Sequence, residues 1–152
     1  MDIIIVGCGK VGSALAEELC EEHNITVIDR NEDLISSVIN DFDVMGIVGN
    51  CICTDILEEA NIAKTSIFIA VTDSDEVNIL SCMIARNMGA RHCIARVRNP
   101  EFDRQLVFMR DRLGISMMVN PDYNAANEIA KVLRYPEAIN IDSFAKGRVE
   151  LA

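Results

Sequence analysis

The sequence predicts a doubly wound α/β domain, a parallel sheet with helices on both faces. Three observations point to it. Short apolar runs such as Ile3-Ile4-Ile5-Val6 and Ser66 to Val71 lack polar alternation, as strands buried on both faces do. Helical patterns separate these runs along the chain. Gly7, Gly9 and Gly12 stand at G-x-G-x-x-G spacing between the first run and a helix, and Asp29 ends the next run.

Residues 2–6 read as the first strand and about 11–22 as the first helix, with Val11, Ala14, Leu15 and Leu19 on its apolar face. At Gly7 a Cβ would obstruct the turn. At Gly9 it would keep the backbone from a phosphate, and at Gly12 it would hold the helix off the strand. Residues 25–29 are the second strand. Asn31 is the expected N-cap of a helix through Leu34, Ile35, Val38 and Ile39. Val44 to Val48 is the third strand, broken by Gly49-Asn50. Thr54 is the expected cap of a short helix, Asp55 to Ala60, which Asn61 ends.

Residues 66–71 form the fourth strand, and Thr72-Asp73-Ser74-Asp75 the loop after it. A long helix then runs from about Glu76 to Met88 and stops at Gly89. His92 to Val97 is the fifth strand. Asn99-Pro100-Glu101 starts a helix bearing Phe102, Leu106 and Met109. Ser116 to Val119 is the sixth strand, and Asn120-Pro121-Asp122 starts a last helix to about Arg134. Six strands alternating with helices predict a Rossmann-like sheet of order 3-2-1-4-5-6, with a ligand over the carboxyl ends of strands 1 and 4. After Tyr135-Pro136, residues 139–144 and 148–151 predict a short β-hairpin. The expected organisation is a nucleotide-binding domain over 1–134, then a hairpin or linker over 135–152 leading to a C-terminal domain absent from this sequence.

The 152 residues are the length of one domain, and half are apolar, enough for a core without staples. The net charge of −10 argues against nucleic acid and anionic membrane surfaces as partners. No apolar run approaches the roughly 20 residues that span a bilayer. Asp2 precedes the first run where a signal peptide would carry basic residues, so the expected compartment is the cytoplasm. The six cysteines read as small hydrophobes in a reducing compartment. Cys51-Ile52-Cys53 lacks zinc-knuckle spacing and His23 and His92 are isolated, so no metal site is expected.

In a parallel sheet the loops leaving the strands gather on one edge, which here collects Gly7–Gly12, Asp29-Arg30, Gly49-Asn50-Cys51, Thr72-Asp73 and Arg96-Val97-Arg98. The Gly7, Cys8, Gly9, Lys10, Val11, Gly12 turn would hold phosphates against a helix N-terminus. Lys10 and Arg96 would add charge. Asp29 would accept from ribose hydroxyls, and so favours NAD over NADP. Arg30 could lie on a base or reach a phosphate. Asn50, beside Cys51, offers amide hydrogen bonds, and Thr72, beside Asp73, a hydroxyl. Arg98 is expected to be an ordinary solvated residue. ATP, ADP or AMP would fit the same set of groups. The sequence holds no G-x-x-x-x-G-K-[ST] and no paired Ser/His or Cys/His arrangement.

These residues carry a family resemblance. Ile3 to Gly12, Val27-Ile28-Asp29, Ala70 to Asn78, Ile94 to Glu101 and Asn120-Pro121-Asp122 resemble the TrkA N-terminal (KTN/RCK) nucleotide-binding domain of Trk/Ktr potassium-transport regulators. The tail from Tyr135-Pro136, with Phe144 to Leu151, is similar to the TrkA branch. The resemblance covers nearly the whole chain. It implies a non-enzymatic cytosolic subunit that binds NAD(H) or ATP/ADP and gates a membrane potassium transporter, peripheral to the membrane through that partner. By position it implies ligand contacts at Gly7–Val11, Asp29, Thr72-Asp73 and Arg96. It also implies a homodimer or larger ring. Many members carry G-D-A-T after strand 3, where this chain has Gly49-Asn50-Cys51-Ile52. The alternative is an NAD-dependent oxidoreductase or its cofactor-binding fragment, against which stands the lack of a placed acid or base. Leu106 to Met109, four consecutive apolar residues, add an expected subunit interface at Phe108 and Met109 with the helix bearing Leu80, Met83 and Ile84.

Overall fold

Ile3, Ile4, Ile5 and Val6 are each at most 3 % exposed, as a strand covered on both faces must be. They belong to β1 (Asp2–Val6), the central strand of a computed structural model that describes residues 1–99 and 112–134 and the backbone of 142–144 and 149–151. On one side of β1 lie β2 (Asn24–Asp29) and β3 (Met45–Val48). On the other lie β4 (Ile67–Ala70), β5 (His92–Arg96) and β6 (Met117–Val119). Every pairing is parallel and the order is β3-β2-β1-β4-β5-β6, as the alternation predicts.

The strand side chains divide by parity into two cores. Ile3 and Ile5 of β1, with Ile25 and Val27 of β2, pack on the face that takes Ala16 from α1 (Lys10–Leu19) and Ile35 and Val38 from α2 (Glu32–Asp41). Ile4 and Val6, with Ile28, Ile47 and Phe68, pack on the face that takes Leu57 from α3 (Thr54–Glu59) and Cys82 and Ala85 from α4 (Asp75–Asn87). Fully burying one such aliphatic side chain contributes about 1.5–3 kcal/mol, so both faces stabilise the sheet. The chain winds outward to β3 and then returns to the far side of β1. The loops after β1 and β4 therefore diverge and leave a crevice between them.

Element ends differ from the sequence reading in small ways, each with a local cause. The N-cap of α3 is Cys53, and Thr54 is already helical; its hydroxyl bonds Asp55 rather than a backbone amide. Ser74 caps α4 by accepting from Val77 N at 3.2 Å, so that helix begins at Asp75. Asn61 ends α3 in the left-handed region at φ 60°, then leads into a 3-10 turn over Ile62–Lys64 that the sequence reading lacks. Asn31 caps α2 as expected, accepting from Asp33 N at 2.9 Å.

The contacts divide the chain into Met1–Val119 and Asn120–Ala152. The second unit holds α5 (Pro121–Arg134) and an antiparallel pair, β7 (Asp142–Phe144) with β8 (Val149–Leu151). The predicted helix bearing Phe102, Leu106, Phe108 and Met109 lies outside the described residues. Among the described residues, no helix is long and apolar enough to cross a membrane.

Candidate functional site

A cavity of about 490 Å³ opens at the carboxyl edge, between the loops leaving β1, β2 and β4. Its wall includes Gly7, Gly9, Lys10, Val11, Asp29, Arg30, Cys51, Thr72, Asp73 and Arg96 from the sequence-derived set. Cys8, Gly12 and Asn50 are not among its lining residues. Gly49 and the apolar residues Ile28, Leu34, Val71 and Val77 also line it; none of the four apolar residues was singled out in the sequence as a ligand contact, since each reads as ordinary core.

The three glycines answer to different demands. Gly7 has φ +95°, and a Cβ there would lie 2.8 Å from Thr72 N. A Cβ on Gly12 would lie 1.8 Å from Gly7 O. Both glycines are required by the protein itself. Gly9 differs: its backbone is extended at φ −70°, ψ −169°, and a Cβ would meet nothing within 4 Å. Neither conformation nor internal packing calls for glycine at 9. The space beside it faces the cavity.

Gly9 is also the N-cap of α1, and it makes no side-chain capping bond. The first turn of α1 has no acid, whereas α2 has Glu32 and Asp33 and α4 has Asp75 and Glu76. Among the described α-helices only α1 lacks both a side-chain cap and a first-turn acid, so its amides and dipole are left for an anion. Lys10, Arg30 and Arg96 outnumber Asp29 and Asp73 on the cavity wall, in a chain of net charge −10. The donor set fits a phosphate-bearing ligand.

Asp29 is tied into the protein from both oxygens. Cys8 N donates to Oδ2 at 2.7 Å, and Asn31 N donates to Oδ1 at 2.9 Å. These bonds join the glycine turn to the start of α2. A carboxylate has about four acceptor positions, so two stay available for ribose hydroxyls. The Cys8 thiol, 1 % exposed, is pushed up to about 12 by burial and then by Asp29. Burial also pushes Cys51 up, with Arg30 opposing. Both stay protonated thiols at neutral pH, poor nucleophiles.

Asn50 turns toward Arg30. Its Oδ1 accepts from Arg30 Nη2 at 2.8 Å and from Ile52 N at 3.3 Å, which holds the arginine beside the cavity mouth. Thr72 looks inward as well. Its amide and its hydroxyl both donate to Asn78 Oδ1, at 2.8 and 2.7 Å. Arg96 Nη2 donates to Thr72 O. Arg98, expected to be simply solvated, donates from Nη2 to Asp73 O. The sequence reading gave no role to Asn78, 0 % exposed, or Asp75, 9 % exposed. Asp75 Oδ2 accepts from the amides of Arg98 and Asn99 at 2.9 and 2.8 Å. A polar pair at i, i+3 in the first turn of a core-facing helix was the available signal.

A second cavity of about 680 Å³ lies at the amino end of the strands and includes Asp2, His23, Asp43, Glu59 and Lys64. It is larger, but among the described residues it has no glycine turn and no uncapped α-helix N-terminus, so chemistry rather than size selects the first. His92 opens β5 at that same end. Among the described residues no three His, Cys, Asp or Glu side chains converge to hold a metal.

The sheet order, the glycine turn and the acid ending β2 define a doubly wound domain of the Rossmann type. The chain belongs to the TrkA-N domain family, whose model matches residues 3–121. It is 34% identical over 151 residues to a Trk system potassium uptake protein TrkA homolog of Archaeoglobus fulgidus, covering 99% of this chain and 34% of that protein. It is 32% identical over 152 residues to a homolog of the same name from Methanothermobacter thermautotrophicus, covering 99% of this chain and 68% of that one. The chain thus spans about a third of the first relative and two thirds of the second. Among solved structures it is similar to GsuK bound to ADP, with TM-score 0.71 and 28% identity over 90% of this chain and 34% of that one. The GsuK channel bound to NAD shares the fold, with TM-score 0.66 and 22% identity over 78% of this chain and 21% of that one.

Proposed function

We propose that this chain is a nucleotide-sensing regulatory module of a potassium uptake system, without chemistry of its own. It binds NAD(H), or alternatively ATP, ADP or AMP, in the carboxyl-edge cavity. The observation that carries this reading is the open space at Gly9 beside the uncapped N-terminus of α1, with Lys10 and Arg96 on the same wall. Asp29 serves the ribose. The TrkA names of the relatives, and the ADP and NAD named for GsuK, support the ligand class and the transport system.

Regulation needs a ligand that favours one of two assembly geometries, which the partner then reads as a difference in free energy. In this reading the chain works in the cytoplasm as a homodimer or larger ring, bound to a membrane potassium transporter. Among the described residues, the cavity wall holds no histidine and no pairing of a base with a nucleophile, which supports a non-catalytic role.

The test is calorimetric titration of NAD, NADH, ATP, ADP and AMP into one preparation. Saturable binding of at least one of them is expected. Binding of none would overturn the nucleotide reading, and turnover of NADH with small carbonyl compounds would overturn the regulatory one.

A further inference from the structure

We infer that Asn78 is the positioning residue of the nucleotide cavity: it holds the Thr72 loop and the end of β5 together, and so keeps the Arg96 guanidinium where it meets ligand phosphate. The inference rests on the nucleotide reading above.

The carboxamide of Asn78 is 0 % exposed and uses its whole hydrogen-bonding capacity. Oδ1 accepts from Thr72 N at 2.8 Å and from Thr72 Oγ1 at 2.7 Å. Nδ2 donates to Thr72 O at 3.1 Å and to Arg96 O at 2.9 Å. The amide orientation follows from chemistry, because the Thr72 N–H can only donate and the two carbonyls can only accept. The bonded groups lie 6 and 18 positions away, on the loop after β4 and at the end of the neighbouring β5.

Arg96 closes the network. Its Nη2 donates to Thr72 O, the same carbonyl that Asn78 holds. The arginine is therefore fixed at its backbone by Asn78 directly and at its guanidinium through Thr72. The Thr72 hydroxyl is given over to this network rather than aimed at a ligand. Lys10 and the α1 N-terminus stand on the same cavity wall, so a phosphate there meets Arg96 as well.

Aspartate has the shape of asparagine but lacks its donor half. At 78 it would face an oxygen toward the carbonyls of Thr72 and Arg96. The effect should fall on phosphate recognition and spare the ribose end, where Asp29 is held by Cys8 and Asn31 instead.

The experiment titrates ADP and adenosine into the wild type, Asn78→Asp, Asn78→Ser, Arg96→Gln and the Asn78→Asp/Arg96→Gln double variant. Each protein is also melted without ligand. Asn78 variants should weaken ADP about tenfold or more while adenosine stays within about twofold. The double variant should bind ADP no more weakly than Arg96→Gln alone, the non-additivity expected of residues in one network. Equal weakening of ADP and adenosine would reduce Asn78 to a structural role and overturn the inference. So would an unchanged ADP affinity, or additive effects in the double variant. Should both Asn78 variants melt below the titration temperature, Thr72→Val carries the test. It removes one donor to Asn78, and retained ADP preference over adenosine would overturn the inference. A wild type that binds neither ligand would overturn the nucleotide reading itself, and this inference with it.

Discussion

Gly9 is the residue whose substitution separates ligand demands from protein demands. A methyl group at Gly9 meets only open space, and the backbone there suits any residue. Gly9→Ala is therefore expected to leave the melting temperature of the ligand-free protein within a degree or two while abolishing nucleotide binding. Undiminished affinity in calorimetry would remove phosphate from the turn. Asp29→Ala mixes the two demands, because the amides of Cys8 and Asn31 lose their acceptor along with the ribose. A hydrogen bond to a charged group contributes roughly 1.5–3 kcal/mol, so NAD should weaken by about tenfold or more and the apo protein should melt lower. The informative quantity is a ratio. Structural loss lowers NAD and NADP alike, whereas removing the carboxylate also relieves its repulsion of a 2′-phosphate, so NADP should gain on NAD. An unchanged NADP-to-NAD ratio would take the ribose role away from Asp29.

Among the elements, α1 is seated tightly at Gly12 against the turn that leaves β1. Gly12 sits so near the carbonyl of Gly7 that an added Cβ would lie at 1.8 Å from it, with backbone on both sides. Neither partner can swing aside as a flexible side chain would. Gly12→Ala must push the helix off the strand. Overpacking typically costs about 1–3 kcal/mol, so a clear fall in melting temperature is expected, in contrast to Gly9→Ala. If both variants melted alike, the division between a protein glycine and a ligand glycine would fail. The first turn of α4 shows the same economy in another form. Ser74 caps the helix, and Asp75 and Asn78 on the next positions hold the amides of Arg98 and Asn99 and the groups of Thr72. One helix start thereby organises the loops after β4 and β5.

For the whole molecule, charge and apolar exposure pull in opposite directions. The net charge of −10 opposes self-association. Yet α5 carries Ile129, Val132 and Leu133 at 62, 62 and 74 % exposure, at the i, i+3, i+4 spacing of one helical face. Association through apolar contact should persist or tighten as salt screens the charge. Sedimentation at tens of micromolar should show at least a dimer, and Ile129→Glu with Leu133→Glu should give a folded monomer. A monomeric wild type would refute this.

Strand number, sheet order and the edge at which the loops after the strands gather were all determined by the sequence alone. Unbroken apolar runs require burial on both faces, and the glycine turn with its distant acid is a local signal with a local cause. Only the tertiary structure decided how the polar groups of that edge are shared. Asn50 went to Arg30, the Thr72 hydroxyl went to Asn78, and Asp75 went to amides more than 20 positions away. Periodicity assigns a residue to a face, but a buried donor or acceptor takes its partner from whichever strand end the sheet order brings beside it.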